Sequence, residues 1–429
     1  MKGTKYGIII RNAMIWLACL LLLNGIYMLF MTVTFALPVQ ERVRGNIEAS
    51  LPVWEEGGES EAPVFKQNSI FWSDTSSEML LVNTTATVYG NPAGRGAALY
   101  WLSLPDTGEI PPVHQYRSLA ANIHNPDDPA LSVESYERYW YLLAGVFRLL
   151  FCFLTIGEIR WLLYAGGALL TLLLFCRVYR IAGARGVVPL GIAMLFRCLG
   201  LNMAGTATAM DVYVALCAMT AVTYLYKKKR FREQQALFFF ITGSVTFAIG
   251  PFIAPLLTLG MTQILLILLD QTQDRDPGAW KQLVANAVAW GAGYVLTMLV
   301  KALVSSVVVG NSDGFGVAFH YLGGSGHATV ADRVARIFYG LEHLMYPTQA
   351  KLVIILILAG VFLVRVIRKG PAGFCGILQT GAVSCYPLLW FFVVYAHSMH
   401  DYASNIFAIT AYGIAAIAAY STGNGRGKG

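Results

Sequence analysis

Charge is scarce in this chain. Asp, Glu, Lys and Arg together supply 13% of its 429 residues, against about 25% in soluble domains. Hydrophobic residues fill 56%, and they fall in blocks near twenty long, the length that crosses about 30 Å of hydrocarbon. That patterning excludes a soluble globular core as the main architecture.

Other absences narrow the function. The cysteines at 19, 152, 176, 198, 217, 375 and 385 lie in or beside apolar blocks and form no CxxC pair. A disulfide framework and a zinc site are therefore disfavoured, and these thiols read as small hydrophobes in helix packing. There is no Walker A loop, GxSxG elbow, HExxH pair or dinucleotide fingerprint. ATP-driven transport by this chain alone is excluded on that ground. The net charge of +7 does not point to nucleic acid. The basic residues cluster between apolar blocks, at Arg177, Arg180 and Arg185, at Lys227 to Arg230 with Arg232, at Arg365, Arg368 and Lys369, and at Arg426 and Lys428. Such clusters mark cytoplasmic ends of spans.

The apolar blocks predict an all-α polytopic membrane protein of about ten transmembrane helices, at 13–36, 157–178, 186–201, 206–226, 235–250, 252–269, 282–306, 352–368, 376–396 and 403–421. Both termini are then cytoplasmic and the protein is a multi-pass component of the cell membrane. Five regions follow: 1–37 with the first span, 38–156 as a large extracytoplasmic loop, 157–309 with spans two to seven, 310–349 as a second outer loop, and 350–429 with the last spans and a Gly-rich tail. The first span, preceded by Lys2, Lys5 and Arg11, is longer than a signal-peptide core and reads as an uncleaved anchor.

The large loop is the polar exception. Between Pro38 and Glu137 there are 14 acidic and five basic residues and no Cys. Its apolar end, Tyr139 to Ile156, is interrupted by Arg148. Counting it as a span would place every later basic cluster outside, so it is expected to lie on the outer membrane surface, with Trp140 and Tyr141 at headgroup level.

With this topology all seven histidines fall on the outer side. His397 and His400 sit at i, i+3 on one helical face, placed to share a phosphate, carboxylate or metal partner. No metal ligand is assigned, and a divalent cation stays open. In the large loop, Asp74 and Glu78 stand four apart beside Trp72. One of them serves as a general base, or Asp74 is a helix N-cap. Asn83-Thr84-Thr85 is a glycan-acceptor sequon. Arg117, Arg138, Arg148 and Arg160 surround the surface helix, and Lys301 lies near the outer end of the seventh span. Guanidinium groups suit phosphate, while Glu158 is the local alternative partner for Arg148 or Arg160. Asp211 is a carboxylate at a cavity edge or a helix N-terminal charge.

A first span, a carboxylate-bearing outer loop, a surface helix and many spans with short inner loops resemble the GT-C class of glycosyltransferases. Shorter pieces resemble poorly characterised bacterial polytopic proteins: Glu137-Arg138-Tyr139-Trp140 with Phe147-Arg148, Pro255 to Gly260, Trp290 to Tyr294 with Lys301, and His397 to His400. The resemblance implies transfer of a sugar from a polyprenyl-phosphate carrier, among membrane lipids, to a glycan or protein acceptor of the cell envelope. In that scheme Asp74, or else Glu78 or Glu41, is the base. Arg117, Arg138, Arg148, Arg160 and Lys301 hold the carrier phosphate, and His320, His397 and His400 line the cavity. The sequence departs from the class in lacking an Asp directly after the first span, where only Glu41 stands. The rivals are a flippase for a lipid-linked glycan and a non-catalytic assembly subunit.

Overall fold

A computed structural model describes residues 2–55, 75–109, 111–136, 140–195, 210–250, 254–273, 280–310, 329–343, 375–393 and 406–420. The expected span at 352–368 and most of the second outer loop lie outside the described residues, as do Asp74, Arg138, His320, His397 and His400.

The chain begins with α1 (Lys2–Ala36), which stops where Leu37 precedes Pro38, because the proline ring disfavours helical geometry in the residue before it. An inserted domain follows: α2 (Gln40–Glu48), α3 (Leu51–Glu55), α4 (Thr75–Ala86), α5 (Pro92–Ala97), β1 (Leu99–Ser103), α6 (Pro111–His124) and β2 (Ser132–Tyr136). The two strands pair antiparallel, with Leu99 opposite Tyr136 and Ser103 opposite Ser132, a small departure from the all-α expectation. Val43, Ile47, Leu81, Val82 and Leu119 are buried between these elements.

The surface-helix segment is shorter and drier than its sequence suggests. It forms α7 (Leu142–Leu150), nine residues or about 13 Å of rise, less than half the hydrocarbon thickness. Trp140 and Tyr141 are buried in protein rather than exposed on its surface. The Trp140 indole N–H donates to Asn24 Oδ1 at 2.9 Å, so the ring anchors α7 against α1.

The apolar helices follow: α8 (Ile156–Ala182), α9 (Ala184–Leu195), α10 (Met210–Leu225), the short α11 (Lys229–Glu233), α12 (Gln235–Ile249), α13 (Leu256–Thr272) and α14 (Trp280–Val309). Then come α15 (Val330–His343), α16 (Tyr386–Val393) and α17 (Ala408–Tyr420). Among the described residues, four helices are long and apolar enough to cross a membrane: Ala13–Ala36, Ile156–Ala182, Trp280–Val309 and Cys375–Val393, the last including α16. Their exposed faces carry Leu22, Leu29, Trp161, Leu169, Val288 and Val307. That surface is intolerable in water and ordinary in lipid.

Helix α8 starts at a capping box between Thr155 and Glu158 and ends at Gly183, whose φ is 62°. Glu158 is thereby committed to its own helix start. The tightest packing joins α12 to α14. A Cβ on Gly243 would sit 2.1 Å from the Trp290 carbonyl oxygen, and one on Gly293 would sit 2.0 Å from that of Phe240. Only glycine permits the two backbones to approach this closely.

A candidate anion site where the inserted domain meets the first helix

Helix carboxyl ends leave carbonyls without intrahelical partners and carry partial negative charge. Several such ends converge where α1 meets the inserted domain, and a cation sits on each. Arg148, in the last turn of α7, is 1% exposed. Its Nε donates to Thr34 O of α1 at 3.2 Å, and its Nη1 donates to Thr85 O of α4 at 2.7 Å and to Gln40 Oε1 at 2.9 Å. The Phe35 ring lies 5.2 Å from its guanidinium carbon. Arg95, in the last turn of α5, donates through Nη1 to Phe35 O at 3.2 Å. Arg44 of α2 donates to Asn122 O and Ile123 O at the end of α6, at 2.6 and 2.7 Å. Lys301 of α14 donates to Ala97 O, the end of α5, and to Ser305 Oγ at 2.7 Å. Carbonyl ends thus stand where acidic side chains were expected.

Arg95 and Arg148 remain undercompensated. Burial and the neighbouring Arg95 charge lower the Arg148 pKa from 12.5 to about 10, and burial also lowers that of Arg95. No carboxylate pairs with either, and the Nη2 of each carries no protein hydrogen bond among the described residues. Two neighbouring guanidiniums whose Nη2 groups have no hydrogen-bond partner among the described residues could hold an added anion.

Other predicted residues go elsewhere. Glu78 is buried in α4 and accepts from the Trp54 indole at 2.8 Å. It also takes a two-pronged ion pair from Arg160, with Nε to Oε2 at 3.2 Å and Nη2 to Oε1. The expected neutralisation of Arg160 by Glu158 gives way to this pair across the α4–α8 contact. Arg117 forms a rim pair with Glu109 at 2.5 Å. Glu41 is exposed on α2, beside the Gln40 that touches Arg148. Asn83 is fully buried and bonded to Leu102 O and Asn122 at 2.9 and 2.7 Å, so the sequon is closed to a glycan. Asp211 accepts from the Ala254 amide at 2.7 Å, at the start of α13, which fits the helix-terminal alternative.

Sequence reasoning misses Arg95, Arg44 and Gln40. The cue for Arg95 is Asn91-Pro92, a helix start that the structure realises with Asn91 Oδ1 accepting from Gly94 N at 2.7 Å. Among the described residues no His, Cys, Asp and Glu group has metal-binding geometry. A cavity of about 60 Å³ lies elsewhere, lined by Gln263, Asp270, Gln282, Asn286 and Gln379, with room for about two waters.

The fold and its lipid-facing surface define a polytopic α-helical membrane protein. No protein-family model matches the chain, and neither curated proteins nor solved structures give a match.

Proposed function

We propose that this protein is a membrane glycosyltransferase that takes a sugar from a polyprenyl-phosphate carrier and holds the carrier phosphate at Arg95 and Arg148. The observation that carries this reading is the pair of guanidiniums with no carboxylate partner among the described residues, at the junction of the inserted domain and an apolar helix. A lipid phosphate has its charge at that boundary and its tail in the bilayer. The acceptor oxygen attacks the anomeric carbon, the carbon–oxygen bond to phosphate breaks, and the phosphate leaves with the electron pair. The two arginines stabilise that charge. The base that takes the acceptor proton is Asp74, or Glu41 on α2, since Glu78 is occupied by Arg160. His320, His397 and His400 keep their sequence assignment as cavity hydrogen-bond donors, and Lys301 is assigned to holding α5.

Chain direction supports the ten-span scheme. The carboxyl-terminal part of α14 meets α5 of the inserted domain, so the chain returns to the face that α1 reached. The intervening α8, α9, α10, α12, α13 and α14 number six, and an even count of crossings restores the face. With α7 as a further crossing it would not. The inserted domain is accordingly proposed to be extracytoplasmic and both termini cytoplasmic.

The test is binding of polyprenyl phosphate to the protein in lipid nanodiscs, read by native mass spectrometry, alongside release of polyprenyl phosphate from its glycosylated form. Arg95→Gln is expected to weaken binding about tenfold, the loss of one charge-assisted contact. Unchanged affinity would remove the phosphate from this site.

One observation favours a flippase as the second reading. Asn286, Trp290, Thr297, Lys301 and Ser305 form a buried polar stripe down α14. It covers 20 residues, about 28 Å of rise and close to a full hydrocarbon thickness. The groups are bonded to neighbouring helices, Asn286 to Gln235 at 3.2 Å, Trp290 to Thr258 at 2.9 Å and Thr297 to Ser244 at 2.7 Å, as interhelical ties. Translocation of a glycosylated polyprenyl lipid in vesicles without sugar transfer would select this reading.

A further inference from the structure

Helix α15 carries an apolar stripe that no described element of the protein covers. Val330, Val334 and Phe338 are 68%, 40% and 66% exposed, and their spacing of four places them along one face. Beside that stripe, Ile337 packs against the protein core. Asp332 and Ala335 are also exposed, on the rest of the circumference.

Two features fix where this helix lies. Its start is set by a reciprocal capping box: Thr329 N and Oγ1 donate to Asp332 Oδ2 at 2.8 and 2.7 Å, and Asp332 N donates to Thr329 Oγ1 at 3.2 Å. Its height is set by Arg333, whose Nη1 donates to Phe392 O at 2.6 Å and Val393 O at 3.2 Å. Those are carbonyls of the membrane-length helix Cys375–Val393, at the limit of its described residues. A guanidinium is costly inside hydrocarbon, so this tie sets α15 at the level of the polar interface. The exposed stripe also continues onto a lipid-facing surface, for Leu389, Phe392 and Val393 at the end of α16 are themselves exposed.

We propose that α15 is an in-plane membrane helix, with Val330, Val334 and Phe338 embedded in the acyl-chain boundary of the leaflet bordering the end of α16. The occupant of its apolar face is phospholipid. A helix with a narrow apolar face, a charged opposite face and a basic residue at its edge binds the interface in this orientation. The placement gives the segment between α14 and α16 a fixed point on the membrane surface. It rests on the membrane assignment of the fold and not on the glycosyl-transfer reading.

The unmodified protein tests this. It is reconstituted in phosphatidylethanolamine–phosphatidylglycerol vesicles containing a trace of phosphatidylcholine with a diazirine in the upper acyl chain. After photolysis, adducts are located by mass spectrometry. Labelling of Val334 and Phe338 several-fold above Asp332 and Ala335 is expected. Equal labelling of the two sets, or none at Val334 and Phe338, would overturn the proposal. A photo-crosslinkable phenylalanine analogue at position 338 gives the second measurement. Lipid adducts support the in-plane helix, and crosslinks to a second copy of the chain overturn it. Loss of polyprenyl-phosphate binding in Arg95→Gln leaves both readouts unchanged, so the two ideas fail separately.

Discussion

Replacing Arg148 with Met removes the cation that ties the ends of α1 and α4 together. Three charged hydrogen bonds disappear, to Thr34 O, Thr85 O and Gln40 Oε1, each worth about 1.5–3 kcal/mol. The contact with the Phe35 ring adds about 1 kcal/mol. Against this stands the cost of the charge itself. Its pKa is held down from 12.5 to about 10 by burial and by Arg95, which corresponds to roughly 3 kcal/mol of relief on removal. The net loss is roughly 3–7 kcal/mol, in line with stranding the partners of a buried charge. At about 2 °C per kcal/mol for a chain of this size, the melting temperature falls by roughly 5–15 °C. A thiol-reactive fluorogenic dye followed during heating reads the event locally, because Cys152 is buried and its Sγ donates to Arg148 O at 3.3 Å. Arg148→Lys keeps the charge but not the fork, and falls between parent and Met. A Met variant that melts within about 2 °C of the parent would refute the claim that this guanidinium joins the two helix ends.

Gly243→Ala and Gly293→Ala are each expected to cost more than about 3 kcal/mol, because the added methyl would meet a carbonyl oxygen at 2.1 or 2.0 Å; fluorescence-detected size exclusion would show loss of the folded peak. Glu78→Gln should destabilise by about 3 kcal/mol, since it breaks the buried pair with Arg160, and Glu78→Met with Arg160→Met should recover part of that loss in a thermal double-mutant cycle. Phosphate binding should be flat between pH 7 and 9 and weaken as pH rises through about 10, where folded Arg148 loses its proton. Between about 10 and 12.5 the unfolded chain binds more protons at this group than the folded one, so its contribution to stability rises with pH there; titration of melting temperature and of lipid binding checks both signs. Asp332, whose pKa is lowered by its hydrogen bonds to Thr329, supports the start of α15 above the ordinary aspartate range. That support is lost as pH falls through the lowered value, and amide exchange at the start of α15 would follow it.

The apolar blocks made the helices legible, because a stretch that must cross hydrocarbon cannot hide its length. Eight of the expected spans contain a described apolar helix and another matches Cys375–Val393 in part, with ends shifted by a few residues. Arg148 inside an apolar stretch argued against a crossing, and the helix there, α7, is nine residues long. What the sequence did not carry was the identity of its partners. A carbonyl at a helix end has no letter of its own, so Arg148 invited Glu158 or a phosphate as its explanation, Lys301 invited a phosphate, and Arg44 drew no notice. Trp140 was misjudged for a related reason. Its partner Asn24 lies within the apolar run of α1, 116 positions away, and only the packing of α7 on α1 brings them together. The α14 stripe was readable at i, i+4 spacing, yet its Thr, Trp and Ser members are individually unremarkable in an apolar block.

Counter-charges made of backbone cannot be exchanged by substitution. At an ordinary ion pair, loss of one partner can be answered by a change in the other, and related sequences would record the two positions varying together. At the ends of α1, α4, α5 and α6, any residue supplies the same carbonyl, so these carbonyl contacts have no companion position to vary with. Their junction would be silent to searches for paired change, and charge-swap rescue would fail there. It would show itself only as single positions that admit no replacement.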